Sequence, residues 1–219
     1  KGNSWNKCQE FAYNSGFKTL VSFNALAVKN TTVFAGSLNN GAYRSIDEGA
    51  SWTKLIEGND TNITSLAFYG SKIFVGTING MFSSTNNGNT WTSVTIGLPT
   101  NAYIFDMEVS GPVIFATTNS GVYLSTDGIN WTLTGASGTY LASNGSNIYV
   151  VGGSSINISN NYGSSWTVGG GGAGGADVAV KGDTIIVVGT SGASISSNNG
   201  ITWNVINNGI IDCWNIGSC

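Results

Sequence analysis

Three carboxylates stand where related stretches of the chain carry small side chains. Asp106 and Glu108 lie two residues apart in IFDMEVSG, and Asp177 lies in ADVAVKG. Corresponding stretches carry Ala25 or Ser65 at the position of Asp106, and residues two apart on a strand share a face. Glycoside hydrolysis uses such carboxylate pairs, one as general acid and the other as base or nucleophile. These three residues are therefore the candidate catalytic groups.

Two interpretations of the carboxylates are open. Burial near the centre of the fold would raise their pKa values, as in many active sites. Alternatively, the acids face water in a central channel or bind neighbouring backbone. We favour the second interpretation and predict no catalytic residues, with a glycoside hydrolase as the alternative.

Composition excludes several other functions. The chain has no histidine, so triads with an imidazole base and histidine-ligated zinc sites are excluded. Eight basic and 11 acidic residues give a net charge of −3, and no basic stripe is available to bind nucleic acid or a membrane surface. No apolar run approaches the ~20 residues of a membrane-spanning helix. We predict no cofactor and no metal site.

Repeats of roughly 40 residues carry these groups. Five octads end at tryptophan, namely SIDEGASW, STNNGNTW, LSTDGINW, SNNYGSSW and SSNNGITW, and the chain opens on the similar KGNSW, which ends at Trp5. Four strand-like runs recur in each repeat, which predicts an all-β propeller of four-stranded antiparallel blades, most simply five. The predicted blades are 23–56, 63–96, 104–134, 139–168 and 176–206, within one domain over 1–219.

Each octad is predicted to form the hairpin turn between the third and fourth strands. Aspartate or asparagine binds backbone N–H groups there, glycine supplies positive φ, and tryptophan anchors the turn. The copy ending at Trp131 departs furthest, since Leu124 and Thr126 take its serine and aspartate positions. The residues given this structural role are Ser45, Asp47, Gly49, Trp52, Gly88, Trp91, Gly128, Trp131, Gly163, Trp166, Gly200 and Trp203.

The octads resemble the Asp-box, or BNR repeat, of sialidase-like and related propellers. This resemblance implies a fold rather than an activity, because the repeat occurs in hydrolases, lectin-like modules and assembly factors. Sialidases of that family clamp the substrate carboxylate with three arginines, whereas this chain has Arg44 alone. Lysine does not reproduce bidentate recognition of a carboxylate, so sialidase activity is excluded. Families rich in such repeats are commonly extracellular.

Loops between the second and third strands should gather on one face of the ring. They are rich in short amides and hydroxyls, which suit the hydroxyl groups of sugars, but they carry no repeated aromatic platform. Ordinary polar turns are the competing interpretation. The predicted ligand-binding residues are Asn39, Asn40, Asn79, Asn119, Ser154 and Ser191.

The three cysteines, Cys8, Cys213 and Cys219, lie near the two ends of the chain. Pairing of Cys8 with either of the others would tie the ends together, whereas Cys213 with Cys219 would close a small loop. A disulfide between the ends indicates an oxidising compartment. Segments 1–22 and 207–219 are expected to close or cap the ring. The alternative is that the chain is part of a larger propeller.

These observations predict a non-catalytic binding module that is secreted or exposed at the cell surface. The expected partner is a carbohydrate or another surface component, without nucleic acid and without membrane insertion; the oligomeric state is left open. Besides the hydrolase, the second alternative is a structural spacer within a larger adhesin.

Overall fold

The structure is a computed structural model that describes residues 22–55, 62–153, 155–170 and 175–206. Twenty strands occur within these residues, and they form five four-stranded sheets in which sequential strands are antiparallel neighbours. Cys8, Cys213, Cys219, Trp5 and Ser154 lie outside the described residues.

The strands of each sheet follow one another along the chain. Sheet 1 contains β1 (Phe23–Lys29), β2 (Thr32–Ser37), β3 (Gly41–Ser45) and β4 (Thr53–Lys54), and sheet 2 contains β5 (Ile63–Tyr69), β6 (Lys72–Thr77), β7 (Gly80–Ser84) and β8 (Thr92–Val94). Sheet 3 contains β9 (Ile104–Ser110), β10 (Val113–Thr118), β11 (Gly121–Ser125) and β12 (Thr132–Leu133). Sheet 4 contains β13 (Tyr140–Asn144), β14 (Asn147–Gly152), β15 (Ser155–Ser159) and β16 (Thr167–Gly169), and sheet 5 contains β17 (Gly175–Lys181), β18 (Thr184–Gly189), β19 (Gly192–Ser196) and β20 (Asn204–Val205).

The first strand of each sheet packs against the first strand of the next, in the series β1, β5, β9, β13 and β17. These strands are therefore innermost, and the short fourth strands lie at the outside. Radial repetition of four-stranded antiparallel sheets is the architecture of a β-propeller. The predicted fold class, an all-β propeller with five blades, is confirmed.

The hydrophobic core lies between successive sheets. An aromatic residue at one position of the second strand is fully buried in sheets 1 to 4, as Phe34, Phe74, Phe115 and Tyr149. Each of these side chains packs against the following sheet; Phe34, for example, lies in one cluster with Ile63 and Ile73. The repeated aromatic position thus joins one blade to the next.

The octad turns are closed by local hydrogen bonds. In the first turn, the backbone N–H of Gly49 donates to Ser45 Oγ at 2.8 Å, and this hydroxyl donates to Asp47 Oδ1 at 2.7 Å. The same carboxylate accepts the N–H of Ser51 at 2.8 Å, and the indole of Trp52 donates to the carbonyl of Gly49 at 3.0 Å. The turns that begin at Ser84, Ser159 and Ser196 repeat the serine and side-chain bonds with asparagine in place of aspartate.

The third octad turn differs from its predicted form. The prediction that Leu124 and Thr126 take the serine and aspartate positions is wrong. Ser125 Oγ accepts the N–H of Gly128 at 2.9 Å and donates to Asp127 Oδ1 at 3.0 Å. In the first octad Glu48 separates Asp47 from Gly49, whereas Gly128 follows Asp127 directly, so the third turn is one residue shorter. An alignment without a gap therefore places the serine and aspartate of this turn one position too early.

Candidate functional site

The loops that join second and third strands lie on one face of the propeller. Cross-blade hydrogen bonds connect strand starts: the Asn24 side chain donates to the carbonyl of Ile63 at 2.9 Å, and Thr64 donates to that of Ile104 at 2.6 Å. Neighbouring first strands therefore run in the same direction. We call the surface formed by residues 38–40, 78–79, 119–120, 153 and 190–191 the loop face.

A hydroxyl at the end of the second strand holds each of the first three loops. Ser37 Oγ donates to the carbonyl of Gly41 at 3.1 Å and accepts the N–H of Asn40 at 2.9 Å. Thr77 and Thr118 make the corresponding pairs of bonds in the next two loops. All three hydroxyl residues are buried. Their hydrogen bonds close the turns without using the side-chain amides at the loop tips.

The loop amides fall into two groups. Asn39 and Asn79 are exposed and Asn40 is half-buried, and within the described residues no hydrogen bond involves any of these three side-chain amides. Asn119 is different, because its Oδ1 accepts the N–H of Tyr103 at 3.2 Å while its own N–H donates to the carbonyl of Tyr103 at 3.2 Å. Asn119 thus has a structural role that its sequence position did not indicate. Ser191 is exposed on the last loop.

Aromatic side chains border the same end of the innermost strands. The rings of Tyr103 and Phe105 lie 4.6 Å apart between centroids. Burial raises the pKa of the half-buried Tyr140, and the charges of Asp177 and Asp106 raise it further, so these three groups lie near one another. Neither Tyr103 nor Tyr140 is among the predicted site residues, although Tyr140 occupies the strand position held by aspartate in sheets 3 and 5.

Asp106 is held between sheets 3 and 4. Its Oδ2 accepts the N–H of Leu141 at 2.9 Å and its Oδ1 accepts the N–H of Met107 at 2.8 Å. Burial raises the pKa of Asp106 to about 7, against the lowering effect of these two N–H donors, and the charges of Glu108 and Asp177 add to the rise. A carboxyl group that titrates near neutral pH is suited to acid–base chemistry, but this one is already bound on both oxygens.

Glu108 makes a second link between the same two sheets. Its Oε1 accepts a hydrogen bond of 2.6 Å from the hydroxyl of Ser143. Burial raises the pKa of Glu108, while the bond from Ser143 lowers it. Asp106 and Glu108 therefore share one strand face, as predicted, and that face is turned toward the next blade. Asp177 accepts the N–H of Val178 at 2.8 Å.

Other polar groups support the turns. Arg44 donates to the carbonyl of Asn87 at 2.6 Å and to Asn89 Oδ1 at 3.0 Å, both in the second octad turn. Within the described part of the chain, no group of three or more histidine, cysteine, aspartate or glutamate residues is placed to hold a metal ion. Nor do the described residues include a helix with the length and apolar character to cross a membrane.

Comparison with known families and structures supports the fold. The family described as the DUF6242 beta propeller domain matches residues 68–173. No curated protein matches the chain in sequence.

Three solved structures illustrate the similarity. The GH74 enzyme of Niastella koreensis is 22% identical with a TM-score of 0.65, over 86% of this chain and 32% of that enzyme. The extracellular domain of BT4673 from B. thetaiotaomicron is 14% identical with a TM-score of 0.66, over 84% of this chain and 28% of that one. YCF48 bound to D1 peptide is 15% identical with a TM-score of 0.65, over 85% of this chain and 69% of that one. The chain thus spans about a third or less of the first two proteins, and at these identities the similarity establishes the fold alone.

Proposed function

We propose that the protein is a non-catalytic binding module whose loop face recognises a polar ligand of the glycan class. The observation that carries this proposal is the set of side-chain amides of Asn39, Asn40 and Asn79, to which no described residue hydrogen-bonds; Asn39 and Asn79 are exposed and Asn40 is half-buried. Because Ser37 and Thr77 already hold the turns, these amides are not needed for folding. An amide offers both a donor and an acceptor, which matches the dual character of a sugar hydroxyl.

The neighbouring aromatic residues support the same ligand class. Tyr103 and Phe105 are partly exposed beside the Asn119 loop. Pockets that combine aromatic surface with a few placed polar groups are typical of small-ligand sites. A sugar ring presents an apolar face and polar edges, so it complements Tyr103 together with the loop amides.

We further propose that the protein belongs to the Asp-box propellers and acts outside the cell or at its surface. The octad turns, with their serine, aspartate or asparagine, glycine and tryptophan, support the first part. The similarity to an extracellular domain, BT4673, agrees with the second. The oxidising environment expected from the cysteine positions points in the same direction.

A glycan array tests the binding proposal directly. The purified chain is screened together with Asn79→Ala and with a matched control, Asn204→Ala, which removes an exposed amide from the outermost strand β20. We expect selective binding that Asn79→Ala weakens by up to about tenfold, the effect of one or two net hydrogen bonds, and that Asn204→Ala leaves unchanged. Absence of selective binding, or equal effects of the two variants, would reject the loop face as a glycan site.

Glycoside hydrolysis is the second candidate, favoured by the raised pKa of Asp106 and the proximity of Asp177. In this mechanism protonated Asp106 would donate to the leaving oxygen while Asp177 acts as base or nucleophile. Turnover of labelled polysaccharides that Asp106→Asn abolishes at unchanged thermal stability would support it. The bonds from Leu141 and Met107 to Asp106 favour the binding function instead.

A further inference from the structure

A series of hydrogen bonds joins neighbouring blades on the side of the propeller opposite the loop face. In each case, the last residue of a first strand donates from its side chain to a carbonyl in the turn between the first two strands of the next sheet. The four bonds are Lys29 to Gly70 at 2.7 Å, Tyr69 to Pro112 at 2.6 Å, Ser110 to Gly145, and Asn144 to Gly182 at 2.9 Å. One side chain thus holds each blade to its neighbour at this level.

Asn144 is the one amide among these four donors, and Gly145 follows it in the turn between β13 and β14. Gly145 has a φ of 62°, which favours glycine because it has no Cβ. The hairpin geometry therefore accounts for a glycine after this asparagine. Asparagine is a thermolabile residue. When glycine follows it, no side chain hinders the approach of the glycine nitrogen to the amide carbon, so the pair cyclises more readily than other pairs.

Five asparagines in the described part of the chain precede a glycine, namely Asn40, Asn79, Asn87, Asn144 and Asn199. In two of these pairs an octad turn holds the glycine nitrogen. The N–H of Gly88 donates to Ser84 Oγ at 2.9 Å, and that of Gly200 donates to Ser196 Oγ at 2.9 Å. Both glycines are buried. A nitrogen that is buried and hydrogen-bonded in this way is a poor nucleophile.

The other three pairs differ in how the glycine is placed. Gly41 and Gly80 each begin a third strand and lie in the β-ladder opposite Ser37 and Thr77. Gly145 lies outside the strands and is exposed, and within the described residues no hydrogen bond involves its N–H. Apart from its chain neighbours, no described atom lies within 4 Å of the point that a Cβ of Gly145 would occupy. The nitrogen of Gly145 is therefore open to solvent.

We propose that Asn144 is a site of spontaneous deamidation through a succinimide. The nitrogen of Gly145 loses its proton to hydroxide and bonds to Cγ of Asn144, and the bond from Cγ to Nδ2 breaks to release ammonia. Water then opens the succinimide ring at either carbonyl, so that position 144 becomes aspartate or isoaspartate. Asparagine and water are thus converted to a carboxylic acid and ammonia. This inference does not depend on the proposed ligand.

The reaction changes the contact between sheets 4 and 5. Nδ2 of Asn144 is the atom that donates to the carbonyl of Gly182, and this nitrogen leaves as ammonia. An ionised carboxylate accepts hydrogen bonds but donates none. In the product, two acceptors therefore face each other, and the hydrogen bond between the two blades is lost.

Peptide mass spectrometry of the full chain tests the proposal. The folded protein is incubated under mildly alkaline conditions and digested at intervals, and conversion of each of the five asparagines is followed from the mass of its peptide. We expect position 144 to convert at least about tenfold faster than positions 87 and 199, where a hydrogen bond must first open. In denaturing urea the five positions should convert at similar rates, because they share the same asparagine–glycine pair.

Two results would overturn the proposal. Equal rates at positions 87, 144 and 199 in the folded protein would show that the free N–H of Gly145 does not select the site. Conversion of position 144 in urea but not in the folded protein would show that the bond from Asn144 to Gly182 prevents the reaction.

Melting temperatures test the predicted loss of the contact between the blades. Asn144→Asp reproduces one product, and Asn160→Asp is the matched control, because Asn160 is exposed and its amide makes no hydrogen bond among the described residues. We expect the first variant to melt about 2–4 °C lower than the wild type, the shift that loss of one hydrogen bond gives in a domain of this size. The control should melt unchanged. Equal melting temperatures of the two variants would contradict the loss.

Discussion

The hydroxyl of Ser143 donates a 2.6 Å hydrogen bond to Oε1 of Glu108, and this bond joins the innermost strands of two neighbouring blades. The carboxylate of Asp106 makes a parallel link to the backbone of Leu141 two residues earlier on the same strand. The two acidic side chains that first suggested catalysis therefore act as connections between sheets 3 and 4. In sheets 1 and 2, small residues hold both positions, as Ala25 with Ala27 and Ser65 with Ala67.

We expect Ser143→Ala to destabilise the protein by about 1–2 kcal/mol, because a half-buried acceptor on Glu108 loses its partner. Glu108→Ala should then lower the free energy of unfolding less in the Ser143→Ala variant than in the wild type. Urea unfolding of the four proteins of this double-mutant cycle measures the coupling. Additive effects would show that the bond contributes nothing to the blade interface.

Stability should fall as pH rises from about 4 to about 7. The pKa of Asp106 is about 7 in the folded protein, above its ordinary value of 3.8. The unfolded chain therefore loses this proton first, and ionisation favours unfolding across that interval. Protonated Asp106 contributes its full stabilisation to the folded state below pH 4, and this stabilisation is lost above pH 7. Its size is on the order of 4 kcal/mol, at 1.36 kcal/mol for each unit of pKa difference. Chemical denaturation at a series of pH values measures the slope.

Two variants isolate Asp106 as the source of that slope. Asp106→Asn has no carboxyl group to titrate, so its stability between pH 4 and 7 should be flatter than that of the wild type. Asp47→Asn is the matched control, since hydrogen bonds from Ser51 lower the pKa of Asp47 to about 2. Its stability should differ from that of the wild type by a constant amount above pH 4, and the difference should disappear only as pH falls below 4, where the folded-state advantage of ionised Asp47 is lost. An Asp106→Asn slope equal to that of the wild type would disprove the assignment.

Gly88→Ala should destabilise the protein more than Gly70→Ala. Both glycines have positive φ, 82° and 60°, so alanine costs about 1–2 kcal/mol at either position. A methyl group at Gly88 would also lie 2.7 Å from a Leu55 methyl carbon and 3.0 Å from the Phe34 ring, whereas none of the atoms around Gly70 lies within 4 Å. Overpacking adds roughly 1–3 kcal/mol. Thermal unfolding of both variants provides the comparison, and equal losses would indicate that the core relaxes around the methyl group.

Trp203→Phe should lower the free energy of unfolding more than Trp91→Phe does. The indole of Trp203 donates to the carbonyl of Gly200 at 3.0 Å, whereas the buried Nε1 of Trp91 has no hydrogen-bond partner among the residues that the structure describes. Phenylalanine therefore removes a hydrogen bond at position 203 but an unsatisfied donor at position 91. The losses in free energy of unfolding should differ by about 1 kcal/mol or more. Urea unfolding of the wild type and the two variants measures these losses. A larger loss for Trp91→Phe would show that ring packing outweighs the N–H group.

The sequence by itself determined the features that depend on local geometry. Alternating apolar runs and the serine, glycine and tryptophan of each octad predict four strands and a turn in every repeat, because these turns close through bonds within five or six residues. The number of blades in the described part of the chain follows from counting the octads. The shortened turn at Ser125 was missed because a one-residue deletion shifts the local pattern.

Only the tertiary structure decided the roles of residues whose partners lie in another blade or loop. Asp106 and Glu108 could have faced a catalytic cleft, and their actual partners, Leu141 and Ser143, are each 35 residues away. Asn119 looked like the other loop amides until its bond to Tyr103 distinguished it. The exposure of Leu26, identical in type to the buried Leu66, depends on what stands beside its strand. Burial and hydrogen bonding between blades are set by packing across the ring, for which the local pattern contains no signal.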